Sequence, residues 1–202
     1  MSTFTTASMK DMSTTRGAQY WVMDFVLNSM TRASFGGPLK PTLFNFLRRT
    51  EAAFREYTLA RSRTLAYLAN PDAVSDYLAA IAHWEVFLSQ AYQAYCLVTM
   101  GQPTLFRRGD GSAFQRLNLL YNRAKHVESA IASHQLPEDG TIAVWLKNDG
   151  LHSIDGFLTF DEIAEILEDL SRYADAVEDP LTMEEKLMAI AGEKDERGRN
   201  DT

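Results

Sequence analysis

The chain has 202 residues, 46% of them hydrophobic, a formal net charge of −7 and a single cysteine, Cys96. That size and apolar content suffice for one ordinary core; a lone cysteine excludes an internal disulfide framework, and no stretch approaches the roughly 20 apolar residues of a membrane-spanning helix. The acidity is uneven, with a net of +3 over residues 1–154 and −10 over residues 155–202, which disfavours bulk nucleic-acid binding but leaves a mildly basic body for a local phosphate-binding face.

Residues 1–17 are rich in Ser and Thr and hold no signal-peptide-like apolar core, so the expectation is a soluble cytoplasmic protein with a flexible lead over 1–14. Tyr20, Val22, Met23, Phe25, Val26, Leu27 and Met30 predict a short buried helix over about 15–31, closed by Phe35-Gly36-Gly37-Pro38. From Pro41 to Asn70 a longer helix carries Leu43, Phe44, Leu47, Phe54, Leu65 and Leu68 along one side. Asn70 and Pro71 read as the N-cap and first position of a third helix reaching about Met100, with Val74, Tyr77, Ile81, Trp84, Leu88, Ala91, Tyr92 and Tyr95 on its apolar face. Cys96 lies in the same apolar stretch, where a buried thiol is expected.

Ser112 caps a fourth helix running to about His134, with Leu117, Leu120, Tyr121, Ala124, Val127 and Ile131 inward. The helical period then stops. Residues 142–146 look extended, 147–150 look like a turn and 151–154 return, with Trp145 expected to pin this excursion to the bundle. Thr159-Phe160-Asp161-Glu162 is a capping box opening a fifth helix with Ile163, Ile166, Leu167, Leu170, Ala174 and Val177 at helical spacing. A second box, Thr182-Met183-Glu184-Glu185, opens a short acidic helix before a frayed tail. The predicted fold is an all-α antiparallel bundle of five to six helices with a short extended or hairpin excursion near 142–154. Residues 15–180 form its single domain and 181–202 the C-terminal helix and tail.

Phosphate loops, dinucleotide-binding glycine motifs, Cys-x-x-Cys, His-Glu-x-x-His and paired Glu-x-x-His are all missing from the sequence, so no metal or cofactor is expected. The remaining chemistry lies in the fourth helix, in Tyr121-Asn122-Arg123-Ala124-Lys125-His126-Val127-Glu128. At 100° per residue Asn118, Asn122, His126, Ser129 and Ser133 fall within an arc of roughly 80°, with Arg116 and Arg123 on a neighbouring edge. A His beside two Arg residues can grip a phosphodiester, the imidazole moving protons and a guanidinium neutralising charge on phosphorus. The same stripe, opposite the apolar side, is also where an ordinary solvent face belongs. Glu85 falls among Leu78, Ile81, Leu88, Tyr92 and Cys96 and is expected to meet Arg123, Lys125 or His126. In Arg107-Arg108-Gly109-Asp110-Gly111 a phosphate-gripping loop competes with a plain solvated turn.

His83-Trp84-Glu85-Val86-Phe87-Leu88-Ser89-Gln90-Ala91-Tyr92, followed by a helix bearing Asn122-Arg123-Ala124-Lys125-His126, resembles the core of HEPN-type helical domains over about residues 72–134. The resemblance implies a bundle of four or five helices, frequently dimeric, some members of which cleave RNA without metal using an Arg and a His. Active members separate that Arg from the His by four to six residues, whereas Arg123 and His126 are separated by two. Carried over, the resemblance gives His126 as acid/base, with Arg123 and Asn122 beside it. Arg116, Asn122, Lys125 and Glu85 make up the expected binding set. The functional expectation is RNA or nucleotide binding with metal-independent RNA cleavage. The alternative is a non-catalytic interaction protein that forms a homodimer or docks a protein partner.

Overall fold

The computed structural model describes residues 4–15, 18–31, 40–101, 109–136, 141–179 and 182–190. Two long helices, α2 (Lys40–Ala69) and α3 (Val74–Gly101), form its spine. Pro41 in the first turn suits a helix start, and α2 continues through residues of high helix propensity. Leu47, Thr50, Ala53, Tyr57, Ala60 and Thr64 are buried at three- and four-residue steps, as are Ile81, Trp84, Leu88, Ala91 and Tyr95 on α3. Their rings interlock: Tyr57 meets Trp84 edge-on at 5.6 Å, and Trp84 meets Phe87 at 5.7 Å and 90°.

The inward face of α2 differs from expectation near its end, where Leu65 is 39% exposed and Thr64 is buried. Thr64 tolerates burial because its hydroxyl donates to Ala60 O at 2.8 Å and accepts from Trp84 Nε1 at 3.1 Å. Asn70 does not cap α3 as expected. Ala73 N donates to Asn70 O across a turn, and the helix begins at Val74. Cys96 is exposed rather than buried.

Residues 4–15 are not a loose lead. Met9 and Met12 are buried, Tyr57 Oη donates to Lys10 O at 2.6 Å, and Arg61 Nε donates to Met9 O at 3.1 Å. Helix α1 (Trp21–Thr31) is amphipathic rather than buried. Trp21 and Phe25 enter the core, and Trp21 Nε1 donates to Asp175 Oδ1 at 2.6 Å. Tyr20, Met23, Leu27 and Met30 face outward.

Ser112 caps α4 (Ala113–Lys125) by accepting from Gln115 N. The expected single helix breaks at His126, whose φ of −116° and ψ of 36° are non-helical, and resumes as α5 (Val127–Ala132). Neither Pro nor Gly occurs between Lys125 and Val127, so nothing local announces the break.

The excursion is a three-stranded antiparallel sheet of β1 (Trp145–Lys147), β2 (Gly150–Ser153) and β3 (Gly156–Thr159) in the order β1-β2-β3. Its third strand follows the two-residue turn Ile154-Asp155, and the expected two-strand excursion stopped short of that strand. The architecture is therefore mostly helical with a small sheet, not purely α. Leu146, Leu151 and Leu158 are register partners and all buried, so this row docks the sheet on the helices. Trp145 lies in the alternate row with His152 and Phe157 and is only half-buried; it does not anchor the sheet.

β3 runs straight into α6 (Phe160–Val177), whose Thr159–Glu162 capping box is fully formed and whose predicted apolar positions are all buried. Residues 183–190 add further helical turns. The second box is not closed, for the Thr182 hydroxyl is buried without a hydrogen-bond partner among the described residues. Gly192 and the tail lie outside the described residues, as do Arg107 and Arg108. No helix among the described residues is long and apolar enough to cross a membrane.

Candidate functional site

The α4–α5 junction forms one side of an open depression of about 430 Å³, lined by Asn122, Arg123, His126, Ser129, Ser133, Gln135 and Asp155, with Ala130 at its apolar base. Helix spacing places Asn122 and Arg123 in the last turn of α4, and His126 stands at the break with its side chain 52% exposed. Ser129 and Ser133 follow from α5 and its C-cap, so four members of the predicted polar stripe still share one surface despite the break. Asn118 joins at the rim by accepting from Asn122 Nδ2 at 2.8 Å.

Arg123 is held on two sides. Its Nε donates to Asp155 Oδ2 at 2.6 Å and its Nη2 to Asp155 Oδ1 at 2.8 Å, a bidentate fork, while Nη1 donates to Gln135 Oε1 at 3.1 Å. The hydrogen bond to Asp155 pushes the guanidinium further toward its charged form, opposed by burial and reinforced by the carboxylate's charge. Asp155 comes from the β2–β3 turn, where Ser153 Oγ accepts from its backbone N–H at 3.2 Å. His126 faces Glu128 across 3.7 Å between Nδ1 and Oε1.

The other expected residues disperse. Arg116 donates to the Glu162 carboxylate and to Gly111 O. Since Glu162 also belongs to the α6 capping box, Arg116 ties α4 to the start of α6 rather than lining the depression. Lys125 projects over the Tyr121 ring at 5.8 Å, and Tyr121 stacks on Tyr92 at 4.7 Å.

Glu85 meets none of Arg123, Lys125 and His126. It makes no hydrogen bond or ion pair among the described residues, and burial alone raises its carboxyl above the ordinary range. The sheet brings a different carboxylate to Arg123, that of Asp155. The buried carboxylate with a basic partner is instead Glu56, whose Oε2 lies 2.9 Å from His83 Nδ1 and whose Oε1 accepts from Arg55 Nε at 3.3 Å, bridging α2 to α3. A second depression of about 410 Å³ holds Glu51, which accepts from Val22 N at 2.8 Å and so satisfies a free donor at the start of α1.

Asp155 and Gln135 were not legible as site residues. Asp155 reads as a turn residue, and 32 positions separate it from Arg123. Comparison with known protein families, curated proteins and solved structures finds no match for the chain.

Proposed function

We propose that the α4–α5 depression binds a phosphate-bearing ligand, single-stranded RNA or a nucleotide, with His126 able to carry a proton in RNA cleavage that needs no metal. The supporting observation is that Arg123 and His126 line the same open surface among hydroxyl and amide groups. Such a surface can hydrogen-bond phosphate oxygens and ribose hydroxyls, while the exposed imidazole can accept a proton from an attacking 2′-hydroxyl or donate one to a leaving oxygen. Arg123 supplies the one guanidinium in the lining among the described residues, so it is the group a phosphate would address, in competition with Asp155. Arg116 belongs to the packing between α4 and α6 and takes no part in this reading.

The test is cleavage of a mixed RNA pool by purified protein in the presence of a chelator, with His126→Ala matched for folding by circular dichroism. Chelator-resistant cleavage that drops about 100-fold or more in His126→Ala supports the proton-carrier role. Cleavage equal in the two proteins removes it, and RNA binding without cleavage restricts the site to recognition.

A second reading, a helical module that associates through apolar surface, is favoured by α1. Tyr20, Met23, Leu27 and Met30 recur at steps of three, four and three, the spacing of a helix-packing seam, and are 50–77% exposed. Self-association that persists at high salt, with no RNA affinity, would favour this reading over the first.

A further inference from the structure

We infer that Asp155 is a built-in competitor for the ligand phosphate, so that the β2–β3 turn sets how strongly the α4–α5 depression binds; this rests on the phosphate-binding reading above. An aspartate carboxylate and a phosphate present the same pair of oxygens to a guanidinium, and both are recognised by a bidentate fork. Two Arg123 nitrogens, Nε and Nη2, are already committed to Asp155 at 2.6 and 2.8 Å, and the third, Nη1, points to Gln135. A phosphate entering the depression therefore meets a guanidinium whose charge is matched. It must displace the carboxylate or approach it at close range, and like charges repel there.

The competitor is held in place by its own strand pair. Ser153 is buried, its Oγ accepts from Asp155 N at 3.2 Å and donates to Gly156 O at 3.3 Å, and the row Leu146, Leu151 and Leu158 fixes the sheet on the core. The carboxylate thus faces Arg123 without a search over turn conformations. The carboxylate is one-third exposed, so a polyanion arriving from solvent can reach it and compete for the Arg123 fork. Besides Arg123 and Asp155, the charged or titratable groups at this surface among the described residues are His126 and, beside it, Glu128, so removing Asp155 makes the local charge more positive by one unit.

The experiment is fluorescence anisotropy of a short labelled single-stranded RNA against wild type, Asp155→Ala, Asp155→Asn, Arg123→Ala and Asp155→Ala/Arg123→Ala, each checked for an intact thermal transition. Asp155→Asn keeps the turn and an acceptor for Arg123 while removing the charge, which covers the case in which Asp155→Ala disturbs the hairpin. The expected result is affinity about three- to tenfold tighter in both single Asp155 variants. The slope of log affinity against log salt should steepen by about 0.7, one more phosphate contact. Both changes should vanish when Arg123 is Ala. Wild-type binding that Asp155 variants leave unchanged or weaken, or a gain that persists without Arg123, overturns the competitor role and leaves the binding site standing. Absence of RNA binding by every protein, the Asp155 variants included, overturns the binding reading and the competitor role with it.

Discussion

Around Trp84 each ring finds other rings, Tyr57, Phe87 and Phe160, and its one polar atom finds Thr64. Around Arg123 a guanidinium finds, among the described residues, one carboxylate delivered by a turn, beside an open depression. The first region is held by many weak contacts spread over α2, α3 and α6, and its cost of disruption is set by volume and area. The second sits on a sheet docked by the buried leucine row, but its charge is set by one pair between α4 and the β2–β3 turn, so its electrostatics change with a single carboxylate. Stability and candidate function are thereby carried by different kinds of interaction, the first within the core cluster and the second at its surface.

Trp84→Ala should produce the largest effect. Loss of a fully buried indole and its hydrogen bond leaves a cavity between the long helices and should cost about 3–5 kcal/mol in urea unfolding. A cost under about 1 kcal/mol would show that the aromatic cluster is not the seat of stability and would erase the contrast.

Gly150→Ala should come next, and it probes the joint between the two regions. A Cβ at Gly150 would lie 2.1 Å from Leu158 O and 2.7 Å from Thr159 Cα, both backbone, so β2 and β3 must separate. We expect a loss of about 1–3 kcal/mol, with the Arg123–Asp155 pair disturbed while the α2–α3 spine persists. Amide exchange that accelerates across 145–159 but stays slow in α2 and α3 would sharpen the comparison. Uniform acceleration would show that the two regions unfold as one.

Glu85→Gln should be the smallest effect and of opposite sign. Because burial raises the Glu85 carboxyl, the folded state keeps that proton to higher pH than the unfolded chain does. Stability therefore declines as pH rises from the ordinary carboxylate range through the raised value. A neutral amide removes this penalty, so the variant should melt roughly 1–3 °C above wild type near neutral pH, and the gap should close below the ordinary carboxylate range. A variant that melts lower at neutral pH would reveal a stabilising partner for the carboxylate.

The elements themselves were largely legible. Apolar residues at three- and four-residue steps announce α2, α3 and α6, and the Thr159–Glu162 box marks the start of α6 to the residue, because capping and amphipathicity are local properties. The α4 start at Ser112 was equally plain, and Asn122, Arg123 and His126 do share a surface. Illegible were the break at His126, where no helix-breaking residue stands, and the closed Arg123–Asp155 fork. Arg116, placed beside Arg123 by helical spacing, was captured by Glu162, 46 positions away.

What the sequence determined by itself is the long helices α2, α3 and α6 and most of their apolar faces, since both follow from backbone hydrogen bonding and burial within a few turns of chain. Only the tertiary structure decided which carboxylate meets which base. Charge pairing depends on distances of a few ångströms between segments far apart in sequence, and those distances exist only once the sheet has docked Leu146, Leu151 and Leu158 against the helices.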